Sequence, residues 1–321
     1  RKQMSYQRDI SSSLYNLGIV NYHLNEFEKA LQYLERAVSQ RTNQSMPFKT
    51  MTMTSEIGPA YLDCFNYIGN IYFKMSEFEK AIEYFSRELK IFDDLIIQQQ
   101  QQHHNQSTTT QTNHKLIDYL LLNKAGCLNN IGACWALLKE SKEAFDFMNN
   151  ALSIRKELHD KHDDRRISAS SSSSSSPSPL SIKEFRALKI LKLDLMNSYN
   201  NLGVLNFNLG DYMSSLSCFE LERHLNGQLM SSDEHRKYNF RQLNLKAEQI
   251  AKNLAICNYN LDKYEAAIEM AKHAIDFNRL NRLSAKSEAD LAALDESNDY
   301  YTNLIEMCRK KPKQQIVEIS V

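Results

Sequence analysis

The side chains in this 321-residue sequence best placed to do specific chemistry are six asparagines. Asn16, Asn130, Asn201 and Asn253 each stand two residues before a glycine or alanine (Gly18, Gly132, Gly203, Ala255); a fifth such place, before Gly69, holds Tyr67 flanked by Asn66 and Asn70. In SYNNLGVLNFNLGDY, residues 198 to 212, Asn200 and Asn201 interrupt an otherwise amphipathic helical pattern. Asparagine is a mediocre helix former, about 0.6 kcal/mol worse than alanine, because its amide competes for backbone hydrogen bonds. Its return at one register therefore needs a reason. A carboxamide offers a donor and an acceptor together, the pair required to hold a peptide backbone whatever its side chains. The same pair can hold a neighbouring helix.

Other reactive residue types form no comparable pattern. Cys64, Cys127, Cys134, Cys218, Cys257 and Cys308 lie in apolar, helix-like stretches without CxxC pairing, and so read as buried reduced thiols. Cys127 and Cys134 share a helix face, but no histidine lies close enough in sequence to complete a zinc set. His103, His104, and His159 with His162 and Asp163 read as solvated loop or helix-end residues, so no metal site is expected. No glycine-rich phosphate loop, HExxH or GxSxG occurs. The expectation is a non-catalytic chain with no cofactor and no small-molecule substrate. Arg165-Arg166-Ile167-Ser168 fits basophilic kinases, and Ser176-Pro177 and Ser178-Pro179 fit proline-directed ones, so Ser168, Ser176 and Ser178 are candidate phosphorylation sites.

Lys+Arg and Asp+Glu both number 39, which gives none of the basic bias of a nucleic-acid or anionic-membrane binder. No apolar run reaches the roughly 18 residues of a membrane span, and RKQMSYQRDI lacks the apolar core of a secretory signal. A cytoplasmic protein is expected. RKKPK at 309 to 313 reads either as a nuclear import signal or as a cationic helix end that suits the helix dipole. Ile319-Ser320-Val321 loosely fits a carboxy-terminal PDZ ligand, and Arg1 in place of Met suggests a piece of a longer protein.

The elements that must position the asparagines are visible as repetition. Around the anchors Gly18, Gly69, Gly132, Gly203 and Ala255, an aliphatic residue precedes directly (Leu17, Ile68, Ile131, Leu202, Leu254) and an apolar residue stands four before (Leu14, Phe65, Leu128, Tyr199, Ala251). After the anchor come an aromatic (Phe27, Phe78, Tyr212, Tyr264, with Ser141 the exception), then a small residue (Ala30, Ala81, Ala144, Ser215, Ala267). Last comes a large apolar one (Leu34, Phe85, Met148, Phe219) that shrinks to Ala271 in the fifth copy. A short polar break (NEF, SEF, KES, GDY, DKY) separates two helical runs in each copy. The unit is a helix hairpin, and since one hairpin cannot bury both its faces, neighbours must stack.

The pattern closely resembles the tetratricopeptide repeat, carried by NLGIVNYHLNEFEKALQYLERAV, YIGNIYFKMSEFEKAIEYFSREL, NIGACWALLKESKEAFDFMNNAL, NLGVLNFNLGDYMSSLSCFELER and NLAICNYNLDKYEAAIEMAKHAI. Anchors stand about 50 to 70 residues apart, against the family's 34. In this the chain is similar to the longer-repeat branch of kinesin light chains and Pins-type adaptors. Glu88 and Glu222 replace the usual second-helix alanine, and Asn21, Asn206 and Asn258 replace a first-helix aromatic, which predicts looser packing with rings supplied by Tyr22, Phe207 and Tyr259.

The resemblance implies an all-α, right-handed superhelical solenoid of stacked antiparallel hairpins over 1–313, with first helices lining the concave face. Repeats are placed at 11–44, 62–97, 125–160, 196–229 and 248–282, a capping helix at 287–310 and a tail at 312–321. The glutamine-rich stretch at 98–114 and the serine-rich one at 163–181 read as disordered inserts whose removal would cost little stability.

The resemblance further implies a scaffold that holds an extended peptide segment of a partner protein in its groove, with Asn16, Asn66, Asn70, Asn130, Asn201 and Asn253 as contact residues. Asparagine ladders of this kind hold peptides in O-GlcNAc transferase and the longer-repeat adaptors. The alternative is a regulatory arm of a larger signalling or catalytic protein. A clamp for acidic carboxy-terminal tails is not expected, since Ser12, Tyr15, Asn16, Ile19, Asp63, Asn66, Gly126 and Asn130 fill the places that would need Lys and Arg.

Overall fold

Every polar break reverses the chain by the same backbone device. The structure, a computed structural model, describes residues 2–42, 59–105, 111–171, 182–231, 240–283, 285 and 287–310. Asn25, Ser76, Lys139, Gly210 and Asp262 all take the left-handed conformation, with φ of 59°, 61°, 64°, 80° and 59°. The N–H of Asn25 donates to the Tyr22 carbonyl at 3.0 Å and the next, of Glu26, to the Asn21 carbonyl at 2.9 Å. This pair of bonds closes a helix end in the Schellman manner. The Glu26 carbonyl then accepts the Ala30 N–H and opens the following helix, and the other four breaks repeat the scheme.

Eleven helices result: α1 Lys2–His23, α2 Phe27–Thr42, α3 Pro59–Lys74, α4 Phe78–Asn105, α5 Gln111–Leu137, α6 Ser141–Ser171, α7 Ile182–Asn208, α8 Tyr212–Ser231, α9 Phe240–Asn260, α10 Tyr264–Arg282 and α11 Glu288–Lys310. No strand occurs among the described residues. The class is all-α, built of consecutive antiparallel hairpins. Where the repeats predict one array, the chain divides into two compact units, Arg1–Ile154 and Arg155–Val321, with the division inside α6.

In the first unit the contact that fixes each hairpin is between the anchor glycine and the large residue of the second helix. A Cβ on Gly18 would come within 2.6 Å of Leu34, one on Gly69 within 2.5 Å of Phe85, and one on Gly132 within 2.7 Å of Met148. The small residues Ala30, Ala81 and Ala144 are fully buried beside them. Stacking follows from the residues on the opposite side of the first helix. Ile68 and Ile71 of α3 pack with Ala30, Leu34 and Ala37 of α2, and Ile131 and Cys134 of α5 with Ala81 and Phe85 of α4. The corresponding side of α1, with Leu17 45%, Val20 55% and Leu24 64% exposed, is uncovered among the described residues.

The second unit obeys the same rule. A Cβ on Gly203 would lie 2.6 Å from Phe219; Ala255 and Ala271, which take the two places in the last copy, are both fully buried. Ser215 takes the alanine place, fully buried, and loses nothing by its hydroxyl, which donates to the Gly203 carbonyl at 2.8 Å. Asn206 and Asn258 pack tightly rather than loosely: both are buried, and each amide donates to the carbonyl four residues back, at 2.8 Å. Asn21 in the first unit does the same to Leu17 at 2.7 Å. The rings are supplied where expected, in the pairs Tyr22–Phe27, Phe207–Tyr212 and Tyr259–Tyr264. Ser287 Oγ accepts the Asp290 N–H at 3.1 Å and starts α11, whose Tyr301 and Ile305 are buried.

The excess repeat length is taken up by helix. α4 continues through the glutamine tract to Asn105, burying Gln99 to 7% exposure, and α5 begins at Gln111, where the sequence predicts a disordered insert over 98–114. Likewise α6 runs to Ser171 and α7 starts at Ile182, which leaves only residues 172–181 of the serine-rich stretch outside the described residues. Glutamine is a good helix former, and apolar residues such as Leu95 and Ile96 carry the buried stripe of α4 up to the tract. The tail at 312–321, Lys311 to Lys313 of the basic run, and the final Ile-Ser-Val also lie outside the described residues.

Gly203→Ala is expected to cost about 1 to 3 kcal/mol, as overpacked cores do, and to cost little once Phe219 is alanine, because the partner of the clash has gone. Urea unfolding of the four proteins of this cycle measures the coupling; equal costs in both backgrounds would exclude the interlock.

Candidate functional site

Burying the anchor side and the stacking side of a first helix leaves one stripe to face outward. In the first unit this stripe carries Tyr15 and Asn16 on α1, Asp63, Asn66, Tyr67 and Asn70 on α3, and Asn130 on α5. Asn16 is exposed; the other six are half-buried. Polar and aromatic groups thus share this stripe, with Tyr15 and Tyr67 also packed against the edge of the core between α1 and α3.

The six predicted asparagines do not form a uniform row. Asn66 and Asn70 turn inward in a chain: the Asn70 amide donates to Asn66 Oδ1 at 2.8 Å, and the Asn66 amide donates to Glu88 Oε2 at 3.2 Å. In the second unit Asn201 is half-buried, while Asn253 is only 1% exposed and its Oδ1 accepts the Gln249 amide at 3.0 Å. Side chains of α11 reach the same helix, Tyr300 beneath Lys252 and Tyr301 onto Glu248, so α9 is enclosed on a side that other first helices leave open. Of the phosphorylation candidates, Ser168 lies within α6, and Ser176 and Ser178 lie outside the described residues.

A cluster missed by sequence reasoning lies between α1 and α3. The Tyr15 hydroxyl donates to Asp63 Oδ2 at 3.0 Å. The Tyr67 ring meets Tyr15 edge-on at 6.2 Å between centroids and Tyr22 at 5.3 Å, and Lys74 Nζ stands 5.0 Å over Tyr22. Burial, then the charge of Asp63, pushes both the Tyr15 and Tyr67 hydroxyls above their ordinary range. Its sequence signal was Tyr67 itself, the one ladder position without asparagine, with Asp63 one turn before it on the same helix face.

The two glutamates in alanine places are buried. Burial pushes Glu88 up to about 7, against bonds from Cys127 and Asn66 that favour the charged form. Glu222 is also pushed to about 7 by burial, which outweighs Lys246 at 3.8 Å. A third buried carboxylate, Glu248, accepts from Asn278 at 3.2 Å, Asn281 at 2.7 Å and the Tyr301 hydroxyl at 3.0 Å. Near the start of the second unit, buried Arg155 bonds to Ser198 and feels the charge of Asp194. These groups tie helices together inside the units.

All six cysteines are free, and Cys218 alone is not fully buried. No group of histidine, cysteine and carboxylate side chains among the described residues could hold a metal ion. No helix among them is long and apolar enough to cross a membrane.

The geometry defines a class, the repeat array of helix hairpins. Residues 11–39 and 63–91 each match a tetratricopeptide repeat family model. The first two hairpins thus carry the tetratricopeptide repeat. Among solved structures the chain is similar to BtubC (BKLC) from P. vanneervenii, at 14% identity and a TM-score of 0.57 over 89% of this chain and 88% of that one. It is also similar to a protein of nearly identical TPR-like repeats from Podosopora anserina (10% identity, TM-score 0.45, 84% and 95% covered). A third likeness is to the Rap conjugation gene regulator of the plasmid pLS20 in complex with the Phr* peptide (16%, 0.40, 92% and 67%). The fold likeness rests on the first of these. No curated protein sequence matches the chain.

Because Glu88 holds its proton more tightly in the fold than its ordinary 4.5 allows, the folded chain binds more protons than the unfolded one between about pH 4.5 and 7. Stability from this group is therefore full below that window and falls as pH rises through it, by on the order of 1 kcal/mol per pH unit. Glu88→Gln keeps an acceptor for Asn66 and should shrink the difference between urea unfolding at pH 5 and at pH 8. An unchanged difference would show that Glu88 ionises freely in the fold.

Proposed function

We propose that this protein is a non-catalytic scaffold whose first helices hold an extended segment of a partner protein. The observation that carries the reading is the outward stripe: the chain repeatedly places carboxamides and tyrosines on one side of α1, α3 and α5, where they stay at least partly exposed. Repeat arrays of the family whose models match residues 11–39 and 63–91 serve generally as protein-interaction scaffolds. The asparagines divide by role. In the first unit Asn16 and Asn130 are the rungs, and Asn66 and Asn70 set the α3 surface through Glu88; in the second unit Asn201 takes the same register and Asn253 supports α9 from within.

Each carboxamide can give and take one backbone hydrogen bond, as an extended segment requires. At roughly 1 kcal/mol net per bond, Asn16→Ala with Asn130→Ala should weaken binding of a randomised, fluorescein-labelled extended dodecapeptide pool by about tenfold or more. Thermal melting followed by circular dichroism should stay unchanged. If affinity holds while melting also holds, the carboxamides do not bind peptide; if melting falls, they serve the fold.

A further inference from the structure

Asp63 lacks the partner that its surroundings would normally supply. Burial raises the affinity of its half-buried carboxylate for a proton, the hydrogen bond from Tyr15 opposes that, and no lysine or arginine pairs with it among the described residues. Its charge also bears on Glu88 behind it and on the Tyr119 hydroxyl of α5, both of which it pushes toward the protonated form. The pocket is thus a place of unbalanced negative charge.

The rings around it carry the same sign on their faces. Tyr67 stands nearly perpendicular to both neighbours, at 70° to Tyr15 and 76° to Tyr22. Lys74 shows what the cluster attracts: its ammonium lies 5.0 Å from the Tyr22 centroid and 5.8 Å from that of Phe27. Tyr22 is satisfied in this way, while no cation covers Tyr15 or Tyr67 among the described residues.

We infer that Asp63, Tyr15 and Tyr67 form a cation-accepting subsite of the first-helix surface, and that it takes an arginine side chain of the bound segment. The inference rests on the peptide-scaffold reading above and adds a chemical requirement to it. A guanidinium suits the subsite better than an ammonium, because it is planar, weakly hydrated, and able to lie along a tyrosine ring while donating to a carboxylate edge. Asp63 retains acceptor capacity for this beyond the lone pair that Tyr15 uses.

The test uses the intact chain and three fluorescein-labelled dodecapeptide pools, alike in a randomised neutral background and fixed at one central position as arginine, citrulline or glutamate. Fluorescence anisotropy should show the arginine pool bound about tenfold more tightly than the citrulline pool, with glutamate weakest. Asp63→Asn and Tyr67→Leu should each bring the arginine pool down to the affinity of the citrulline pool, with unchanged melting. Tyr15→Phe, which keeps the ring and leaves the carboxylate in place, should retain the preference. Equal binding of arginine and citrulline by the unaltered chain would overturn the subsite and leave the peptide surface standing. Binding of no pool would remove the peptide surface, and the subsite with it.

Discussion

The absent Cβ of the anchor glycines is the constraint on which each hairpin depends. With 2.5 to 2.7 Å between the place a methyl group would take and the side chain opposite, the two helices approach as far as backbone allows. That closeness gives the large residue of the second helix its seat and brings the fully buried small residue into the same layer. It also fixes helix rotation: once the anchor faces its partner, the residue before it must face the preceding hairpin, and the outward stripe is what remains. The fifth hairpin makes the reverse exchange, alanine for glycine and alanine for the large residue, and both are fully buried.

Polar groups are then sorted by which side of this interlock they fall on. Inside, Glu88, Glu222 and Glu248 replace apolar packing with hydrogen bonds from neighbouring helices. Buried carboxylates of this kind are weak contributors to stability, but they accept only a few geometries, and so favour one pairing of helices over another. Outside, the tyrosines and asparagines of α1, α3 and α5 face solvent at a spacing the interior dictates. The Asn70–Asn66–Glu88 chain joins the two sides, so that the surface of α3 is held by a group in the core.

Much of this was legible in the residues. The large residue opposite each anchor glycine, as Phe219 opposite Gly203, stands at a fixed spacing after it, and the polar breaks coincide with the left-handed turns although four of the five turn residues are not glycine. The glutamine tract misled because its composition suggests disorder, yet Gln99 inherits a buried register from the apolar residues before it in α4. Asn253 misled for a different reason. Its register matches Asn130 and Asn201, but the enclosure of α9 depends on α11, a helix outside the repeat pattern. The tyrosine cluster was hidden because Tyr15 and Asp63 lie far apart in sequence and gain meaning only when α1 and α3 lie side by side.

The uncovered side of α1 has a further consequence. Leu17 and Val20 occupy the registers that Ile68 and Ile71 bury against α2, so the outer edge of the first hairpin is already cut to the shape of an internal joint. A tandem duplication of one hairpin at this edge would meet a matching seat without any change to the residues behind it. Genetic lengthening is therefore cheap for such a chain: growth by whole modules needs no new interface to evolve, only a copy of one that exists.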